Sequence, residues 1–231
     1  MMLSINPQKN KTVLMSVPRD AAVVFPSFKK YGVTKINSAY TLGGVAETAK
    51  TLDKYYRVPI DGYIEINMGG LKKLVQQIDG VDVTALSSFT NNGYTFKKGP
   101  KYHLNGDKAL AYTQIRREDN RHDYGRQERI RQVMMAIIKS VKPSTLLNDK
   151  LMKLISKEVR TDFHINQMYR LAFNYRHATN NIVSDNVQGT SKLVHNKEFG
   201  DMVVEEISLK ERQRASDLLR KNLNLPTVKL K

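Results

Sequence analysis

Between Gln114 and Arg131 the chain reads Gln-Ile-Arg-Arg-Glu-Asp-Asn-Arg-His-Asp-Tyr-Gly-Arg-Gln-Glu-Arg-Ile-Arg, which places six arginines in the sixteen residues that start at Arg116. A guanidinium stays charged at any working pH and forks two hydrogen bonds onto one phosphate or carboxylate. Packing this many together costs self-repulsion unless something anionic sits against them. If Asp123 caps a helix here, Arg126 falls on its first turn and Arg129 one turn later, on a shared face. The open backbone N–H groups of such a helix start, with Arg126, form a seat for pyrophosphate, and Arg116 would approach from the other side of the loop. The competing reading is a solvated helix end laced with ion pairs to Asp119, Asp123 and Glu128. Composition alone leaves both open.

A second candidate is Arg19-Asp20, which follows Pro18 at the carboxyl end of an apolar run, where α/β proteins bind ligands. The guanidinium suits a phosphate oxygen and the carboxylate suits Mg²⁺. The pair is weak evidence taken alone, as are Lys35 and Asn37. The five histidines, His103, His122, His164, His177 and His195, show no metal-binding spacing. Neither a P-loop, nor a dinucleotide fingerprint, nor a Gly-x-Ser-x-Gly elbow is present, so nucleophilic serine chemistry has no support.

The elements that must position these groups follow from patterning. Met1–Ile5 and Thr12–Val17 read as a hairpin about Asn6–Lys11. Gly43-Gly44 is expected to open an amphipathic helix to Tyr56, with Val45, Ala49 and Leu52 on its apolar face. Strands are expected at Tyr63–Asn67 and Val81–Val83, a helix at Leu71–Ile78, and a hairpin turn at Asn91-Asn92-Gly93. Asn105 should cap a short helix to Gln114 that feeds the arginine segment. The helix after Asp123 should turn Ile130, Val133, Met134, Ile137 and Ile138 inward. Further on, the pattern predicts a helix to Ser156, a strand near Val159 and a helix at Asn166–His177. Strands at Ile182–Val187 and Met202–Val204 precede a basic helix, Leu209–Leu223, burying Leu209, Leu218, Leu219 and Leu223 beneath a wet cationic face. Strands alternating with helices argue for an α/β sandwich with a mixed sheet.

A chain of 231 residues can build one sizeable core or two small ones, and the lack of a visible linker favours one domain over 1–231. The formal charge of +16 points to a polyanionic partner: nucleic acid, an anionic membrane surface or a phosphorylated glycan. Cysteine is absent, which rules out disulfides and thiolate metal sites. No run of about 18 apolar residues exists to span a bilayer. The sequence opens directly on strand-like residues, so a lead-in with a membrane anchor is expected upstream of Met1.

Five stretches now stand together: Ser16-Val17-Pro18-Arg19-Asp20; Lys35-Ile36-Asn37-Ser38-Ala39-Tyr40 with Gly43-Gly44; Val58-Pro59-Ile60-Asp61-Gly62-Tyr63; His103 through Tyr112; and Asp123-Tyr124-Gly125-Arg126-Gln127-Glu128-Arg129. In this order and spacing, over Met1 to Val141, the chain resembles the LytR-CpsA-Psr family of bacterial cell-wall phosphotransferases. The resemblance implies a single domain with a mixed central β-sheet sandwiched between helices and a tunnel for a lipid tail. It implies an extracytoplasmic location at the cell membrane. The implied activity is transfer of a glycopolymer (wall teichoic acid, capsular or secondary wall polysaccharide) from a polyprenyl-pyrophosphate carrier to peptidoglycan. A phosphodiester forms, Mg²⁺ assists, and nucleic acid has no part.

Carried over by position, Arg19 and Asp20 match the loop that contacts phosphate and metal, with Asp20 the metal ligand. Arg116 and Arg126 match pyrophosphate-binding arginines, and Asp123 matches the acid before the second. Lys35, Gln114 and Arg129 complete the expected phosphate contacts. Asp20, Asp123 and Arg126 are the expected catalytic set, with either carboxylate open to accept the acceptor hydroxyl's proton. Three departures stand out. Gln114 replaces an arginine, a loss worth about 1–3 kcal/mol of charge-assisted bonding that Arg117, Arg121 or Arg129 is placed to offset. Ile130 replaces a glutamine, and the family's second acidic metal ligand would fall upstream of Met1. Two other classes compete: a non-catalytic binder of polyprenyl phosphate or wall polymer, and a nucleic-acid-binding regulator. Against the regulator, there is no helix-turn-helix, zinc spacing or RNA-recognition aromatic motif.

Overall fold

The structure, a computed structural model, describes residues 1–115, 121–140 and 148–231. Among them lie seven α-helices: α1 Asn37–Tyr56, α2 Met68–Gln77, α3 Gly106–Gln114, α4 His122–Ser140, α5 Asp149–Glu158, α6 Ile165–Asn174 and α7 Leu209–Asn222. The chain packs as two compact units, Met1–Tyr63 with Val183–Lys231, and Ile64–Ile182. Of the two options that its length leaves, it builds two hydrophobic cores. The class is mixed α/β, as patterning predicts.

In the first unit the expected hairpin forms. Strand Met2–Asn6 pairs antiparallel with Lys11–Ser16, from Met2 opposite Met15 to Asn6 opposite Lys11, and Ile182–Asn186 lies beside the second strand. Val13 and Met15 are fully buried with Phe25, Tyr56 and Leu219. The strand is pinned to α7 by amides: Asn6 Nδ2 donates to the Asn222 carbonyl (2.6 Å), and Asn222 Nδ2 to the Ser4 carbonyl (3.0 Å).

Two expectations in this unit are corrected. Helix α1 begins at Asn37 rather than Gly43, and Gly43-Gly44 kinks it instead of opening it. Gly44 sits at φ 63°, which costs a glycine nothing and lets the chain turn mid-helix. The kink rotates the inner face, so Glu47 and Thr51 are buried where Val45 and Ala49 were expected. On α7, Leu219 is buried as expected, but Leu209 is half exposed, and Arg220, assigned to the wet basic face, is 8% exposed.

The sequence pattern also misses half of a long hairpin, Thr190–Asn196 with Gly200–Glu206. Its turn is held by buried Asn196. The Nδ2 atom donates to the carbonyls of Tyr31 (2.6 Å) and Val33 (2.8 Å), while Oδ1 accepts from the N–H groups of Glu198 and Phe199 (2.9 and 3.0 Å). Asn196→Ala strands backbone groups on two elements at once. The expected loss is about 2–4 kcal/mol of unfolding free energy, read by urea denaturation.

In the second unit, asparagine caps start three helices. Asn67 accepts from Gly70 N (2.7 Å), Asn105 from Lys108 N (3.0 Å), and Asn148 from Lys150 N and Leu151 N. Strand Val81–Thr84 pairs with Lys101–Leu104, Val159–Thr161 with Ile64–Ile66, and the expected Asn91–Gly93 turn closes Phe89–Asn91 onto Tyr94–Phe96. The core joins Val75, Val81, Leu104, Tyr112 and Val133 to the rings of Phe89 and Phe96. Helices α2 and α3 approach so closely that a Cβ on Gly106 would lie 2.4 Å from the Lys72 carbonyl oxygen. Among the described residues, no helix is long and apolar enough to cross a membrane.

Candidate active site

Each unit carries one cluster of the residues singled out from the sequence. In the first, the tight turn after Pro18 closes through Ala21 N to the Pro18 carbonyl (3.1 Å). Pairing of Ala22 opposite Lys35 then brings the Lys35–Asn37 segment alongside. Ile36 N donates to the Ala21 carbonyl (2.9 Å) and Asn37 N to the Arg19 carbonyl (3.1 Å), so backbone bonds hold the two segments together. The side chains converge on one carboxylate. Lys35 Nζ lies 3.4 Å and Arg19 Nε 3.9 Å from Asp20 Oδ1, and all three side chains are between 29% and 45% exposed. Two half-exposed cations around one carboxylate leave a net positive charge and donors turned to solvent, as phosphate recognition requires.

Asp20 is a hard oxygen donor suited to Mg²⁺. Among the described residues no group of three or more His, Asp or Glu side chains gathers. One carboxylate with phosphate oxygens and water is an ordinary arrangement for that ion, and Asp20 fits it as a single ligand.

In the second unit the centre is the start of α4. Asp123 is not its N-cap; the helix begins at His122, and Asp123 lies within the first turn. There its carboxylate organises side chains rather than backbone. Arg126 Nε and Nη2 both donate to Oδ1 (2.9 and 2.6 Å), and Gln127 Nε2 donates to Oδ2 (2.7 Å). Spacings of three and four residues place all three on one helical face. With its side edge committed to Asp123, Arg126 still offers its end edge, Nη1 and Nη2, to fork an anion. The Arg126 side chain is only 16% exposed, so the guanidinium is both aimed and partly shielded from water.

The neighbouring arginines divide. Arg121 pairs with Glu128, as the ion-pair reading of this segment expects. Arg129 is 1% exposed: its Nη2 donates to the Ile115 carbonyl (2.7 Å), and its guanidinium lies 5.1 Å from the centroid of the Phe89 ring. In this geometry it braces the end of α3 against α4. Gln114, the last residue of α3, is exposed, and Ile130 is half-buried. Arg116 and Arg117 lie outside the described residues. Val133 and Ile137 face inward as expected, with Met134 packed at the core's edge.

Two supporting residues escaped the sequence reading. Gln127 follows Asp123 by four positions, a helical spacing that would have found it. Gln132 accepts from the Tyr112 hydroxyl (2.6 Å) and donates to the Thr84 carbonyl (2.8 Å), tying α3, α4 and a strand together; no local signal marks it. Burial pushes the Tyr112 phenol up to about 12. An acid whose folded pKa is raised contributes stability that is complete below its unfolded value, near 10, and is lost as pH rises through the folded value. Unfolding free energy should therefore fall between about pH 10 and 12, and Tyr112→Phe should flatten that fall in denaturation titrations.

Comparison with known proteins places the chain among relatives of known family and fold. A polyisoprenyl-teichoic acid–peptidoglycan teichoic acid transferase, TagU, from Bacillus mycoides is 41% identical over 183 residues, covering 78% of this chain and 59% of the relative. The chain thus spans about three fifths of that relative's length. The crystal structure of B. subtilis TagV superposes with a TM-score of 0.81 at 26% identity, over 97% of this chain and 88% of TagV. An Enterococcus faecalis protein named a transcriptional regulator superposes at 0.85 with 28% identity, over 98% and 82% of the two chains. The LytR_cpsA_psr family model matches residues 1–216, and the chain belongs to that family.

Proposed function

We propose that this chain transfers a teichoic acid or related phosphate-linked glycopolymer from a polyprenyl-pyrophosphate carrier to peptidoglycan, at the extracytoplasmic face of the cell membrane. The observation that carries the reading is the Arg126 guanidinium, held edge-on by Asp123 with its other edge open. Membership of the family supports it, as does the name of the Bacillus mycoides relative.

In this reading the acceptor hydroxyl attacks the phosphorus that carries the glycopolymer. The bridging P–O bond of the pyrophosphate breaks, and polyprenyl phosphate leaves. Such a reaction asks little covalent work of a protein; charge neutralisation and alignment carry it. In the second unit Arg126 takes phosphate oxygens in a bidentate grip; in the first, Arg19 and Lys35 supply positive charge to a phosphate, the role that the family resemblance gives them. Bound at Asp20, Mg²⁺ would supply further neutralisation of phosphate charge. Asp123 already accepts three side-chain hydrogen bonds, so its lone pairs are the less available for a proton. Asp20, with partners at 3.4 and 3.9 Å, is assigned as the proton acceptor, and Asp123 as the residue that positions Arg126.

The test is a turnover assay with a synthetic lipid-pyrophosphate sugar donor, a peptidoglycan acceptor and Mg²⁺. Release of lipid phosphate coupled to acceptor labelling is expected. Tight lipid binding without release would instead make the chain a non-catalytic binder, and the transfer reading would fail.

A further inference from the structure

A groove of about 630 Å³ in the first unit is lined by Lys50, Lys54 and Arg57 from the end of α1 and by Arg220 from α7, with Asp53 its one acid. None of the four cations has a carboxylate within ion-pair distance among the described residues. Lys50 and Lys54, four residues apart, share one face of α1, and Arg57 follows at its C-cap. Lys50 Nζ donates to the Ser27 hydroxyl (2.9 Å). Cations at a helix end are in part explained by the helix dipole, which accounts for Lys54 and Arg57. It does not account for Arg220.

Arg220 is 8% exposed, and among the described residues no carboxylate lies within ion-pair distance of it. Its Nε donates to the Pro226 carbonyl (2.6 Å) and its Nη1 to the Arg57 carbonyl. Arg57 closes α1 in the left-handed region (φ 51°, ψ 43°). Two backbone carbonyls thus fix the guanidinium as a rigid base to the groove, while Nη2 makes no hydrogen bond to protein among the described residues. Holding a nearly buried guanidinium without a counter-charge is costly, and an anion in the groove removes that cost.

We propose that this groove is an anion site for a linear polyphosphodiester, with one phosphate on Arg220 and its neighbours along Arg57, Lys54 and Lys50. Cations spread along the end of α1 and its C-cap suit a repeating anion, since a single phosphate can engage only one or two of them. The surface is concave and walled by Pro26, Pro59 and Val228, which offers a planar bilayer no flat contact and no long aliphatic anchor. The site lies wholly within one unit, and its binding does not depend on the transfer reading.

The test is calorimetric titration of the full chain with a short glycerol-phosphate oligomer at low salt, with inorganic phosphate and phosphatidylglycerol vesicles as separate arms. The double charge reversal Lys54→Glu, Arg57→Glu changes exposed residues; two acids at the C-terminal end of α1 should lower the thermal melt slightly while circular dichroism shows the fold intact. It is expected to weaken oligomer binding at least tenfold and to reduce the salt slope, as loss of phosphate contacts does. Arg220→Gln should weaken it as well, and a lowered melt for that variant would leave the double reversal to decide. Unchanged oligomer affinity in the double reversal overturns the proposal. So does inorganic phosphate binding as tightly as the oligomer, or vesicles binding through these residues while the oligomer does not. Absence of turnover with this binding intact would count against the transfer reading alone.

Discussion

Arg126→Ala is expected to lower transfer by about 10²–10³-fold, the usual loss when one preorganised donor to a developing oxyanion is removed. The physical reason is the division of labour on its guanidinium. Nε and Nη2 are tied to Asp123 Oδ1, which fixes the plane, and the opposite edge is left to meet phosphate oxygens. Because that orientation exists before substrate arrives, it costs no reorganisation during the reaction. Alanine is the strongest helix former, so α4 should persist, and Asp123 retains its bond from Gln127. Arg126→Lys separates charge from geometry: the ammonium keeps the positive charge but cannot fork, and an intermediate rate is expected. Affinity for a polyprenyl phosphate, measured in parallel, should fall with the rate. A rate within a few-fold of the parent chain for Arg126→Ala, with its circular dichroism unchanged, would sink the assignment.

The pairing of Arg126 with Asp123 is legible in part because it is local: residues three apart on a helix lie on one face, although the cap expected of Asp123 is not made. The Met2–Ser16 hairpin and the Asn105 cap were legible for the same kind of reason, each signalled within a few residues. The role of Arg129 was not, since its surroundings come from Ile115 and Phe89, remote in sequence, and only packing converts an apparent phosphate grip into a buried brace. The strand Thr190–Asn196 was missed because alternation reveals a strand only when one face is buried, and five of its seven residues are exposed. Arg220 reads as one more surface cation in a basic helix; its burial depends on the carbonyls of Arg57 and Pro226. The convergence of Arg19, Asp20 and Lys35 follows from strand register, with Ala22 opposite Lys35, which no motif encodes.

Asp20→Asn should be nearly as damaging as Arg126→Ala, and it separates the two roles assigned to that carboxylate. The substitution keeps an oxygen that can face a cation or a lysine, but it removes both the negative charge and the capacity to take a proton. General-base catalysis contributes about 10²–10⁴-fold, so a loss of that size is expected if Asp20 accepts the hydroxyl proton. Were Asp20 only a ligand for Mg²⁺, the asparagine would weaken the site without abolishing it, and raising the Mg²⁺ concentration would recover rate. We expect Asp20→Asn and Asp20→Ala to be similarly inactive, with no recovery at high Mg²⁺. Stability should change little, because the side chain is 41% exposed and its two cationic neighbours are also open to water. Removal of the carboxylate leaves Arg19 and Lys35 without their shared counter-charge, so binding of the lipid pyrophosphate, measured without Mg²⁺, should hold or tighten while turnover collapses. A fall in affinity matching the fall in rate would instead place Asp20 in ground-state binding and return the proton to Asp123.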